Sequence, residues 1–215
     1  MKCRFSARVM AEETTTFDAR AFADTVRASL IAGVTTARLD GMVRQIAAES
    51  GGASLSRLCL IVAQTCLSMG RIKQVRHWLE RLVEAVADDD ILAAIAVAVG
   101  CSQAELAVNL YQKLLAIKSL PQAEESLAVA QSTTGLALRL RQRMRSEAWG
   151  LQRKLLKAVG QLLLGVLPAL DSDEKRAEAW SCLAQIYRLR GLAQSQIDDA
   201  LAEAARYGGE QVAGP

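Results

Sequence analysis

Glycine punctuation constrains this chain more than any other feature. Stretches with apolar residues three and four positions apart are closed repeatedly by glycine, at Gly33, at Gly51 and Gly52, at Gly70 and at Gly191. A residue free to take a left-handed backbone just past a helix-periodic stretch is the usual helix stop. The spacing predicts helices over 17–32, 36–49, Ser54 to Met69, 72–87 and 91–99, then from Ser102 to Lys118 and from Pro121 onward. No run alternates apolar and polar residues as a half-buried strand would. Only three prolines interrupt the chain and aromatic residues make up 4% of it, while alanine and leucine dominate, which favours helix over sheet.

Boundary signals refine this reading. Ser54 is placed to N-cap the third helix, and Ser102-x-x-Glu105 and Asp171-x-x-Glu174 read as capping boxes. Asp88, Asp89 and Asp90 precede the apolar segment 91–99, where their charge suits the positive end of a helix. That segment is apolar all round, so it is expected in the core or as a subunit contact in a homo-oligomer. Pro121 fits the first turn of its helix. Thr133, Thr134 and Gly135 are expected to break the chain, with a weak seam near 132–135. Leu140, Met144, Ala148, Leu151 and Leu155 make one apolar stripe over about 20 residues. Pro168 closes a short helix, and a last helix is expected from about Ser195 to Tyr207. The expected organisation is a flexible segment 1–16, a single all-α domain over 17–207 of about nine to ten helices, and a disordered tail over 208–215. Short connections between such helices imply an array of antiparallel helical hairpins.

Several classes fall away on bulk properties. With 26 basic and 23 acidic residues, the net charge of +3 excludes a polycation. The apolar runs Ile91 to Val99 and Leu162 to Leu167 are far shorter than the roughly 18 residues that span a bilayer, so no membrane partner is expected. The N-terminus, MKCRFSARVMAEETTT, is interrupted by Arg8, Glu12 and Glu13 and does not read as a secretory signal. Met10 is an alternative start. Cys3, Cys59, Cys66, Cys101 and Cys182 form no CxxC pair, and reduced thiols in a cytoplasmic protein are expected. No metal site is anticipated, because His77 is the lone histidine and the cysteines are dispersed. No GxxxxGK[ST], GxGxxG or HExxH motif is present. His77 lies mid-helix among basic residues, and the pairs Glu124, Glu125 and Asp198, Asp199 sit at helix starts where they serve the helix dipole. The chain is read as a non-enzyme without cofactor.

Two segments look like stacked hairpin units, 58–85 and 179–205. In the second, Trp180, Leu183, Ala184, Tyr187 and Gly191 stand at large, large, small, large and turn positions and resemble the first helix of a tetratricopeptide repeat (TPR). In its second helix Gln196, Ala200 and Glu203 depart from the motif. A turn longer by one residue would bring Leu201 and Ala204 into register. In the first segment Cys59, Val62, Ala63, Cys66 and Gly70 hold the corresponding positions, followed by Val75, Leu79 and Leu82. A third unit is suggested over Tyr111 to Ala130, with Ala123, Leu127 and Ala130 placed and Lys118 in place of the turn glycine. The resemblance implies a TPR-like superhelix whose concave groove binds a peptide or amphipathic helix of a partner protein, as an adaptor, assembly factor or chaperone. Small bacterial TPR-like proteins include chaperones of secreted substrates, among them those of type III secretion.

On that resemblance the groove-facing residues are Arg57, Leu60, Gln64 and Leu67 in the first unit. In the second they are Glu178, Ser181, Gln185 and Arg188. A second surface is basic. Seven Lys/Arg and one acid, Glu147, fall between 139 and 157. On one continuous helix Arg139, Arg143, Arg153, Lys154 and Lys157 would share a third of the circumference. This surface suits an acidic protein or, as the alternative function, a nucleic-acid-associated regulator. Trp149 falls outside the basic arc.

Overall fold

The computed structural model describes residues 17–49, 54–117, 122–142 and 146–208. The described residues form ten α-helices and no strand, so the all-α expectation and the helix number are borne out. They are α1 (Ala19–Ile31), α2 (Thr36–Glu49), α3 (Leu55–Ser68), α4 (Ile72–Ala85), α5 (Ile91–Gly100), α6 (Ala104–Ala116), α7 (Ala123–Gln142), α8 (Ser146–Val166), α9 (Asp173–Arg190) and α10 (Gln194–Gly208). Single 3-10 turns at Asp88–Asp90 and Leu167–Ala169 lead into α5 and out of α8, the latter at Pro168. The expected flexible ends at 1–16 and 209–215 lie outside the described residues, as do Pro121, Arg143 and Met144; Gly208, expected in the tail, closes α10.

Side-chain oxygens fix the helix starts. Asp18 Oδ1 accepts from the amides of Arg20 and Ala21 at 2.9 and 3.1 Å, and Ser54 Oγ accepts from Arg57 N at 3.1 Å. Such caps satisfy amides that the first helical turn leaves without partners. The capping box expected at Asp171 is displaced by one residue. Ser172 is the cap, and its Oγ accepts from Lys175 N at 3.2 Å.

Four helices end in the same hydrogen-bond pattern. At the end of α1, α3 and α9 the left-handed residue is Gly33, Gly70 or Gly191. At the end of α5 it is Ser102, with φ 59°. Ser102 N donates to Val99 O at 3.0 Å and Gln103 N to Ala98 O at 2.8 Å, the paired bonds of a Schellman motif. This corrects the capping box expected at Ser102-x-x-Glu105: Ser102 ends α5 and does not cap α6, whose preceding residue Gln103 makes no side-chain cap.

One expected boundary is absent, and one unexpected boundary is present. α7 runs unbroken through Thr133, Thr134 and Gly135, where a break and a seam were expected. The two hydroxyls, which in a loop would compete for backbone groups, instead bond back to Val129 O and Ala130 O at 2.7 and 2.9 Å within the helix. Conversely, the stripe from Leu140 to Leu155 does not lie on one helix. Leu140 belongs to α7, and Ala148, Leu151 and Leu155 belong to α8.

Consecutive helices pair as α3 with α4, α5 with α6, α7 with α8 and α9 with α10. Between pairs, α1, α3, α5, α7 and α9 pack in succession, and so do α4, α6 and α8. The unit drawn over 111–130 is therefore not a hairpin of its own, because α6 pairs with α5 and α7 with α8. One cluster of buried apolar side chains runs from Phe22 on α1 to Ile186 on α9. α5 sits within it. Ile91, Leu92, Ala94, Ile95, Val97, Ala98 and Val99 are all buried, against neighbours α3, α4, α6 and α7. The all-apolar segment is thus interior, and the expectation that it is a subunit contact is corrected. Tyr111 on α6 is fully buried, and its hydroxyl lies 2.8 Å from Thr133 Oγ1. Since Thr133 donates to Val129 O, the Tyr111 phenol is the donor in that pair.

Candidate functional site

A cleft of 830 Å³ opens between α7, α9 and α10. The α9 sequence builds one wall. Glu174, Glu178, Ser181 and Gln185 follow one another at spacings of four, three and four residues, so they form a single stripe along the helix. The opposite side is supplied by Gln131 of α7 and by Arg206 and Tyr207 near the end of α10.

The polar groups in this cleft are partly pre-arranged. Gln131 Nε2 donates to Glu178 Oε2 at 3.3 Å, which ties α7 to α9 across the opening. Arg176 Nη1 donates to Asp173 Oδ1 at 2.7 Å and its Nη2 to Leu170 O at 2.7 Å. The same guanidinium lies 5.8 Å from the centre of the Tyr207 ring, within cation–π range. Ser181, Gln185 and Glu174 have no hydrogen-bond partner among the described residues. The lining carries three carboxylates, Asp173, Glu174 and Glu178, against the single guanidinium of Arg206. Such a surface offers acceptors to backbone amides and to cationic side chains. Cys182 also borders the cleft, but burial pushes its thiol pKa up, which keeps it protonated and a poor nucleophile.

The expected groove residues do not form one surface. Glu178, Ser181 and Gln185 share the cleft, while Arg188 is exposed on α9 outside its lining. Arg57 and Gln64 border a separate recess of 390 Å³ between α1 and α3, with Arg20 and Arg27. Leu60 is 0% exposed and belongs to the core, which corrects its assignment to a groove. Leu67 is half-buried, and a Cβ on Gly100 would lie 3.1 Å from its Cδ2, so α5 packs closely on this face of α3. Arg57 is engaged structurally as well, in an ion pair with Asp90 at 2.7 Å.

The TPR-resembling residues of α9 act as scaffold. Leu183 and Ala184 are buried, Trp180 and Tyr187 are half-buried and packed on the core, and Gly191 takes φ 70° at the turn. In α10 the buried positions are Ile197 and Ala200, whereas Leu201 is exposed, so the register shifted by one residue is not adopted. His77 is half-buried with its ring edge-on to Trp78 at 5.4 Å.

The basic surface is divided between two helices. Arg139 stands near the end of α7, and Arg153, Lys154 and Lys157 stand on α8, all exposed, so the single helical arc expected over 139–157 does not exist. Trp149, expected outside that arc, is exposed one turn before Arg153 on the same helix. Among the described residues no helix is long and apolar enough to cross a membrane, and no three His, Cys, Asp or Glu side chains are grouped as a metal ion would need.

The sequence signal sufficed for the α9 wall because helical spacing alone aligns Glu178, Ser181 and Gln185. It extends one turn further to Glu174, which was missed. Gln131, Arg206 and Tyr207 reach the cleft only through packing of α7 and α10 on α9, and no local pattern announces that. Comparison of the chain with protein-family models, with curated proteins and with solved structures returns no match.

Proposed function

We propose that this protein is a helical-repeat scaffold that binds a segment of another protein in the cleft between α7, α9 and α10, as an adaptor, assembly factor or chaperone. The observation that carries this reading is the cleft's lining. An 830 Å³ opening presents a stripe of polar side chains at helical spacing, of which Glu174, Ser181 and Gln185 have no partner among the described residues. Polar groups left unpaired at the wall of a concave site suit recognition of a peptide backbone and of basic side chains. The contacts between successive helix pairs support this reading, because in TPR-like arrays stacked pairs frame such a groove.

The test is a triple variant, Glu178→Ala, Ser181→Ala and Gln185→Ala, compared with the wild-type protein by affinity capture and mass spectrometry from the native host. The reading requires a protein retained by the wild type and lost by a variant whose circular dichroism and melting are unchanged. A folded variant that keeps every captured protein removes the cleft from the account.

A further inference from the structure

The outward face of α8 carries a row of side chains with no structural employment. Trp149 is 52% exposed and Leu164 is 48% exposed. Arg153 and Lys157 stand exposed between them. At about 100° per residue these four lie within an arc of roughly 80°, and Trp149 and Leu164 are separated by about 22 Å along the axis. Lys154 flanks the row. Arg57, Arg76, Arg81 and Arg176 are each paired with a carboxylate, of Asp90, Glu80, Asp40 and Asp173. The three α8 cations make no ion pair or hydrogen bond among the described residues, and no carboxylate appears among the α8 side chains that are described.

We infer that this face is a second docking surface, separate from the cleft, for an acidic segment of a partner protein. Carboxylates of the partner would meet Arg153, Lys154 and Lys157, and apolar side chains at its two ends would cover Trp149 and Leu164. Tryptophan and arginine are the side chains that most often dominate protein interfaces, and opposed charge fixes register and speeds encounter. Nucleic acid fits less well. Three cations release few counterions, one tryptophan stacks one base, and Leu164 gains nothing from a phosphate backbone. A lipid surface would want a continuous apolar arc, whereas here the two apolar residues bracket a cationic row.

The probe is a fluorescently labelled helix-forming peptide with leucine near each end and glutamate at every fourth position between them. Binding is read by anisotropy and by the emission of Trp149. The inference expects saturable binding that weakens as salt rises and a blue shift of tryptophan emission that Trp149→Ala abolishes. It also expects an affinity loss of at least about tenfold in Arg153→Glu with Lys157→Glu. The cleft triple variant should bind this peptide unchanged, so failure of one surface is distinguishable from failure of the other. Should charge reversal disturb folding, Arg153→Gln with Lys157→Gln must show the loss instead. Three outcomes overturn the inference: no saturable binding, equal affinity of the folded charge variants, or tighter binding of an oligothymidine or of phosphatidylserine vesicles.

Discussion

Arg57 Nη1 stands 2.7 Å from Oδ1 of Asp90, whose side chain is 7% exposed. Ser56 Oγ lies 3.5 Å from the other carboxylate oxygen and accepts from Ala87 N at 3.1 Å. Together these contacts fasten the start of α3 to the turn before α5. Arg57→Ala is therefore expected to act on stability, leaving a buried carboxylate without its counter-charge at a cost of about 1–3 kcal/mol. Urea denaturation measures it. An unchanged midpoint would show that the pair contributes nothing.

Ser102 pays a conformational penalty that glycine would not. Its φ of 59° lies in the left-handed region, in the position that glycine fills at the ends of α1, α3 and α9. Ser102→Gly is expected to stabilise the protein by about 0.5–1 kcal/mol, the relief of left-handed strain exceeding the added freedom of the unfolded chain. Thermal unfolding reads the sign directly, and a lower melting temperature would contradict the assignment.

The pair formed by Tyr111 and Thr133 joins α6 to α7 inside the core. Tyr111→Phe removes the donor and should cost about 1 kcal/mol, while Thr133→Val strands a buried phenol and should cost about 1–3 kcal/mol. The double variant should lose less than the sum of the two, because neither polar group then remains unpaired. Strict additivity in denaturant melts would mean the two hydroxyls are not coupled.

Burial pushes the thiols of Cys59 and Cys66 up to about 11 from 9.0, with Arg71 drawing Cys66 partly back. Burial likewise raises the phenol of Tyr111. Between about pH 9 and 11 the unfolded chain releases thiol protons that the folded protein keeps, so these groups favour folding in full below pH 9 and lose that contribution as pH rises through 11. Stability measured across this range should fall. At pH 8 a Cys3→Ser variant should react with iodoacetamide at Cys59 and Cys66 only when unfolded.

Helix identity and most helix ends were readable because they depend on neighbours in sequence. The Ser54 cap and the glycine stops at 33, 70 and 191 are local chemistry. Ser102 misled because serine usually starts helices, and its backbone here is set by the Schellman bonds that close α5. Thr133 and Thr134 misled because their hydroxyls are satisfied within the helix. On the candidate site, the stripe on α9 was legible from periodicity. The groove assigned to α3 was not, since Leu60 is core and α5 packs against the face that carries Leu67, an outcome of tertiary packing that no helical wheel contains. Gln131 and Tyr207 reach the cleft from distant parts of the chain for the same reason.

The most direct test of a partner-binding cleft is site-specific photo-crosslinking with benzoylphenylalanine. It would be placed at Ser181 or Gln185, facing the cleft, and in a separate control at Asn109, exposed on α6. The account predicts a discrete adduct with one protein from the cleft positions and not from the control. Absence of any adduct from Ser181 and Gln185, or the same adduct from Asn109, would contradict it.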